Sequence, residues 1–264
     1  ELKDDFMFGL IMHDSKYVKP FLEMILKIKI RKVVYPQSQK SIDLSANAKA
    51  IRLDVYVEDD QNTVFNLEMQ TSDNRNLPKR MRYYQGVIDL NILQKGQDYT
   101  KLKKSYVIFI CTFDPFGEGR HIYTFCNTCQ ENTALTLDDD AVKIILSTKG
   151  TMDDVSPEMK RILDYIDGKG ASDKFTEELE EAVRSARQNE RWRLDYMTLE
   201  YEYRQRYLEG KEEGLRKGEE TGITKTRERT IQKLHERGES IQFIADIVEL
   251  DEEEVKRVID ALKL

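Results

Sequence analysis

Asp54, Glu68 and Gln70 are the residues best placed to do chemistry. The stretch IRLDVYVEDDQNTVFNLEMQ, residues 51–70, reads as a β-hairpin with the aspartate on one strand and the other two on the next. Leu53, Val55, Val57 and then Phe65, Leu67, Met69 are apolar at every second position, the period of half-buried strands. Arg52, Asp54, Tyr56 and Asn66, Glu68, Gln70 therefore face the other way. Opposed residues of an antiparallel pair share a face, so Asp54 lies across from Glu68 only if the turn around Asp59 to Thr63 holds an odd number of residues. An even turn would set Asp54 opposite Leu67 and separate the acids.

Two carboxylates a few ångströms apart repel each other, and a hard cation with oxygen ligands relieves that repulsion. Magnesium is the expected ion, with manganese as its substitute. Such an ion lowers the pKa of a bound water, orients it for in-line attack on phosphorus and takes up charge on the leaving oxygen. Phosphodiester hydrolysis is the reaction this set suits. Taken alone, the D…ExQ spacing also fits a polar, solvated sheet face, so the surroundings of the hairpin have to decide.

Those surroundings are specific. IRLDVYVED, NLEMQ, LPKRMRYYQ, YVIFICTFDPFG and ARQNERWRLDYM, taken in order, resemble the PD-(D/E)XK nuclease family transposases, relatives of the Rpn-type recombination-promoting nucleases, over about residues 5–215. The resemblance implies an α/β fold, a restriction-endonuclease-like core with a mixed four- to five-stranded sheet flanked by helices. It also implies magnesium-dependent DNA endonuclease activity. On the matching positions it makes Asp54 and Glu68 metal ligands and the backbone carbonyl of Met69 a third. Gln70 takes the place held by lysine in the parent motif, as is usual in this family.

That exchange matters, because a lysine brings positive charge to the transition state whereas a glutamine offers neutral hydrogen bonds that can orient water. Lys49, on the approach to the Asp54 strand, is a candidate for the missing cation, the alternative being an ordinary solvated lysine. Glu23, in FLEMILKIKI, matches an acidic position on the first helix of similar sequences and is a candidate for a water-mediated metal contact. It reads equally as a surface glutamate on an amphipathic helix.

A net charge of −7 is unusual for a DNA-gripping protein, but the charge is unevenly spread. Arg75, Lys79, Arg80, Arg82, Lys95, Lys101, Lys103 and Lys104 follow the hairpin against only Asp89 and Asp98. Pro78 opens a helix there, so Arg75, Lys79, Arg80 and Arg82 are candidates for DNA phosphate contacts, with a solvated helix face as the alternative. Tyr83 and Tyr84 are expected to split between packing inward and reaching toward the site, and Tyr84 is grouped with the DNA contacts.

Other chemistries find little support. Three cysteines point to a reducing, cytoplasmic setting rather than a disulfide framework, and CNTC at Cys126 and Cys129 lacks the second pair a structural zinc site needs. Cys111 reads as a small buried hydrophobe. His13, His121 and His235 show no partner spacing, and no phosphate loop marks a nucleotide cofactor. No apolar run approaches the roughly 20 residues of a membrane span. The sequence opens on Glu1 rather than methionine, which leaves a lost leader open.

The apolar periodicity predicts a helix over 5–27, a short strand near 32–35, the hairpin, a helix over 78–94, strands near 106–112 and 122–125, and a strand-like AVKIIL. A further helix is capped by Ser156 and ended by Gly168, which places the end of the core near residue 170. Residues 171–222 form a charged helical segment whose apolar members need a surface, and homodimerisation through the C-terminal helices is expected. Gly210, Gly214, Gly218 and Gly222 recur every fourth residue, reading either as a close-packed helix face or as a hinge. Residues 223–264 look like a small helix-turn-helix-like module, with helices near 225–237, 240–248 and 252–263. The acidic start of its last helix, Asp251 to Glu254, speaks against DNA reading and for protein contact. Two functional classes remain: a metal-dependent DNA endonuclease, and a non-catalytic DNA-binding or regulatory oligomer on the same scaffold.

Overall fold

The computed structural model describes residues 1–35, 41–42 and 51–262, which form two compact units, Glu1–Arg193 and Leu194–Leu264. The first unit is built on eight strands: β1 (Val33–Val34), β2 (Ser41–Ile42), β3 (Ile51–Arg52), β4 (Val55–Asp59), β5 (Val64–Gln70), β6 (Ser105–Cys111), β7 (Ile122–Phe125) and β8 (Ala141–Ser147). Six of them make one mixed sheet in the order β1-β4-β5-β6-β8-β7, and β2 pairs with β3 apart from it. β5, β6 and β8 run parallel, while β1, β4 and β7 add antiparallel margins. The sheet exceeds the expected four to five strands because Val33–Val34 pairs at one edge and Ile122–Phe125 at the other.

Both faces of this sheet are covered. α3 (Leu77–Ile92) packs over one face, where Tyr56, Val64, Val107, Phe109 and Ile145 meet Leu77, Met81, Tyr84 and Ile88. α1 (Asp5–Met12), α2 (Ser15–Leu26), α4 (Pro157–Ile166) and α5 (Lys174–Gln188) cover the other, over Phe65, Leu67, Met69, Ile108, Ile110 and Leu146. That double cover explains a departure from the half-buried strand expected of the hairpin, since every residue of β5 is buried. Its alternation separates two cores, one richer in polar groups, rather than core from water.

The helix expected over 5–27 is two helices, because Asp14 accepts the Lys16 N–H at 2.8 Å and starts α2 as a cap. α4 begins where expected, with Ser156 Oγ accepting the Met159 N–H at 3.2 Å, and Gly168 follows it at φ 94°. The core does not end near residue 170. Leu179, Val183 and Ala186 of α5 are buried in the same cluster as α1 and α2, so the first unit extends to Arg193.

α6 (Glu190–Glu236) runs unbroken through Gly210, Gly214, Gly218 and Gly222. The glycine repeat is therefore helical rather than a hinge, and the helix expected to start near 225 is the end of α6. Lys, Glu, Leu and Arg between the glycines are strong helix formers, and ion pairs at i,i+4 spacing, Lys217 with Glu213 at 2.6 Å and Arg216 with Glu220 at 2.7 Å, support the same stretch. Within the second unit α7 (Ile241–Val248) and α8 (Glu252–Leu262) close on the last turns of α6 around Ile231, Ile244, Ala245, Val248, Val255 and Ile259. Among the described residues no helix is long and apolar enough to cross a membrane.

Candidate metal-binding active site

The hairpin turn decides whether the acids can meet. Asp59 Oδ1 accepts the Gln61 and Thr63 N–H groups at 2.9 and 2.8 Å, and Asn62 takes the left-handed conformation at φ 63°. The Asp59 N–H bonds to the Thr63 carbonyl at 3.0 Å, leaving residues 60–62 as an odd-numbered loop. Val55 then lies opposite Leu67, and the same register carried on by a residue sets Asp54 opposite Glu68. The bonding there is reciprocal: the Asp54 N–H donates to Glu68 Oε1 at 3.2 Å, and the Met69 N–H donates to Asp54 Oδ2 at 3.0 Å. Each carboxylate is thus steered by the backbone of the strand that carries the other.

The chain bends just before β4. Leu53, expected on the same side as Val55, joins the core under α3 instead. α1 presses on this bend from the other side: a Cβ placed on buried Gly9 would stand 3.1 Å from the Asp54 carbonyl oxygen. A larger residue there would press on the Asp54 backbone, so glycine is what allows the helix to seat.

Glu68 is 1% exposed. Burial, and next the charge of Asp54, push its carboxyl well above the ordinary glutamate range; the Asp54 N–H and Arg80 pull the other way without offsetting them. A hard divalent ion would supply the charge this arrangement lacks. Among the described residues no group of three or more His, Cys, Asp or Glu could hold a metal. A donor set limited to Asp54 and Glu68 fits magnesium, which is typically bound through one or two carboxylates and keeps several waters.

Gln70, 8% exposed, is tied at both ends of its amide: Nε2 donates to the Ser72 carbonyl at 2.6 Å, and Oε1 accepts from Arg80 Nη1. Arg80 reaches in from α3 and donates through Nε and Nη2 to the Tyr84 hydroxyl at 3.2 and 2.9 Å. Its guanidinium carbon lies 5.2 Å from the ring centroids of both Tyr84 and Phe109, and Nη2 is 3.7 Å from Glu68 Oε2. Tyr84 is buried, and burial raises its hydroxyl pKa, so it stays protonated. The residues grouped as DNA contacts therefore divide. Arg75, Lys79 and Arg82 are exposed, whereas Arg80 and Tyr84 stand beside the acids; of the tyrosine pair, Tyr83 faces outward.

Glu23 does not join the site. It accepts the Ile30 N–H at 2.8 Å and sits 3.8 Å from Lys29, because α2 lies against α4 rather than beside Asp54. The acidic groups that a first helix does bring near are Asp4 and Asp5, at the start of α1, which line a cleft of about 600 Å³ with Met69, Gln70 and Arg80. The consecutive aspartates ahead of an apolar-periodic run were the available signal for them. Lys49 lies outside the described residues. Cys111 is buried as expected, its thiol pKa pushed up to about 12, and Cys129 donates to Glu131 in an exposed loop.

Comparison with protein families finds a match to the model of the PD-(D/E)XK nuclease family transposases over residues 3–146. That range takes in α1, the acid pair and the Arg80 helix, and runs into β8. No curated protein and no solved structure matches the chain.

Proposed function

Since the chain belongs to the PD-(D/E)XK nuclease family transposases, we propose that it is a magnesium-dependent DNA endonuclease working at Asp54 and Glu68. The observation that carries this reading is the reciprocal bonding of the two acids across the hairpin, with Glu68 buried and its carboxyl pushed upward by burial and by Asp54. Asp54, Glu68 and the Met69 carbonyl would hold the ion, and manganese would serve in its place. When bound, it would polarise water and stabilise charge on a phosphodiester under attack.

The protein's own part is placement. The β5 backbone orients Asp54 through the Met69 N–H, and the bend after Leu53 aims the Asp54 N–H at Glu68. Asp4 and Asp5 line the cleft with Met69, Gln70 and Arg80 and add negative charge there. Arg75, Lys79 and Arg82, exposed at the start of α3, hold the DNA backbone by charge, and salt weakens that hold. A plasmid-nicking assay checks this reading: wild type should relax supercoiled DNA with magnesium, and Asp54→Ala should not. Equal cutting by both would discard it, and absence of cutting with any divalent ion would favour the non-catalytic alternative.

We also propose that the chain pairs with a second copy along α6. Leu194, Tyr201, Leu208 and Leu215 recur every seventh residue and are 64%, 63%, 48% and 60% exposed, an apolar row along the helix that a second copy would cover. Sedimentation equilibrium should give a dimer for the full chain and a monomer for Leu208→Glu/Leu215→Glu. A monomeric wild type would refute the pairing.

A further inference from the structure

The site as described has an electrostatic gap. Gln70 brings no charge to the position where hydrolysis of a phosphodiester builds negative charge, and two carboxylates with one divalent ion leave little net charge to meet a phosphate. Among the described residues, one fixed cation stands against the acids. Arg80 is held on several sides: by Tyr84 through two hydrogen bonds, by Gln70 through another, and by the rings of Tyr84 and Phe109. A side chain bound only for solvation would not be fixed at so many points, and Arg75, Lys79 and Arg82 on the same stretch are not. The guanidinium is still incompletely used. Nε, one N–H of Nη1 and one of Nη2 are bonded, so each terminal nitrogen keeps a second N–H. Its side chain is 33% exposed and lines the cleft that also holds Met69 and Gln70.

We infer that Arg80 is a catalytic residue that contacts the scissile phosphate from α3, and that Gln70 is its positioning residue. This rests on the nuclease reading above. A planar fork with two remaining N–H groups matches the paired oxygens of a phosphate, which a lone ammonium on a flexible stem does not. Gln70 then has a purpose apart from its lost charge: its Oε1 fixes the rotation of the fork and its Nε2 ties the assembly to the loop at Ser72. Arg80 is thereby separated from its basic neighbours. They set affinity and salt dependence; Arg80 sets the rate.

The test is single-turnover nicking of supercoiled plasmid at saturating protein with magnesium, together with DNA affinity measured in EDTA. Arg80→Gln should slow cleavage by about 10²-fold or more, as loss of a transition-state donor does, while DNA affinity changes less than about threefold. Lys79→Gln/Arg82→Gln should chiefly weaken binding and flatten its salt dependence. Gln70→Lys/Arg80→Gln, which moves the charge from the helix to the strand, should recover at least about tenfold of the lost rate. If Arg80→Gln melts early, Arg80→Lys is read in its place, and it should cut at least about tenfold more slowly than wild type with DNA affinity changed less than about threefold, because a lone ammonium cannot replace the fork. The role is overturned if folded Arg80→Gln cuts at the wild-type rate, if its defect is wholly one of affinity, or if relocating the charge restores nothing. These failures leave the nuclease reading intact as long as wild type cuts and Asp54→Ala does not. A wild type inert with every divalent ion overturns both.

Discussion

Glu68→Gln should abolish DNA cleavage and, in the same protein, raise the melting temperature of the metal-free form at neutral pH. The two effects have a common cause. Glu68 is buried beside Asp54, and its folded-state pKa is raised above that of the unfolded chain. A raised carboxyl pKa means that the folded state binds the proton more tightly than the unfolded one. The stability this contributes is fully present below the unfolded value of about 4.3 and is lost as pH rises toward the folded value, by about 1.4 kcal/mol per unit between them. Glutamine keeps the shape and cannot ionise, so the variant escapes that loss. The gap in melting temperature between variant and wild type should be small in acid and widen toward neutrality. Magnesium should raise the wild type and leave Glu68→Gln unmoved. Cleavage should fall by about 10³-fold or more, since a metal ligand governs several kcal/mol of transition-state stabilisation. Thermal melts at several pH values with and without magnesium, alongside the nicking assay, check each part. A variant that follows the wild-type pH profile would show that Glu68 carries its charge unaided.

Phe109→Ala should cost about 3–5 kcal/mol, the usual range for emptying a fully buried aromatic site. Phe109 is fully buried on β6, opposite Glu68 in the parallel ladder to β5 and opposite Ile145 in the ladder to β8. Its ring centroid lies 5.6 Å from that of Tyr84, and it supports one side of the Arg80 guanidinium. The cavity would open under the catalytic arginine, and so the damage should extend beyond stability. Phe109→Leu, which restores most of the volume without the ring, separates the two losses. It should recover most of the denaturation midpoint in urea while its cleavage rate stays at least about tenfold low, because an aliphatic chain does not hold a cation by its face. Full recovery of both would remove the ring from any role at the site.

Much of the acid pair was legible in the sequence, because an alternating pattern and the parity of a turn are local properties. Asp59 and Asn62 supply the turn from within the hairpin, and nothing distant is needed to place Asp54 opposite Glu68. Leu53 was misplaced because its strand breaks into a bend, which alternation cannot register. Arg80 looked like one more member of a basic run. Its spacing from Tyr84 suits a pair on one helix face, but the reason that face turns inward is Phe109, far along the chain on another strand. Glu23 failed for the converse reason: its helix has the right composition but lies against α4, where Glu23 accepts the Ile30 N–H instead of reaching the acids. The four glycines of α6 suggested a break because their intrinsic helix penalty is visible residue by residue, while the support from the residues between them is collective.

The three-residue loop at 60–62 also limits how this protein can diverge. A one-residue slip of β4 against β5 would turn the pleat of one strand over against the other, carrying a carboxylate into aliphatic surroundings and an aliphatic group into its place. Change at that tip is therefore tolerable where it leaves the turn made by Asp59 and Asn62, and with it the pairing of Asp54 with Glu68, in place.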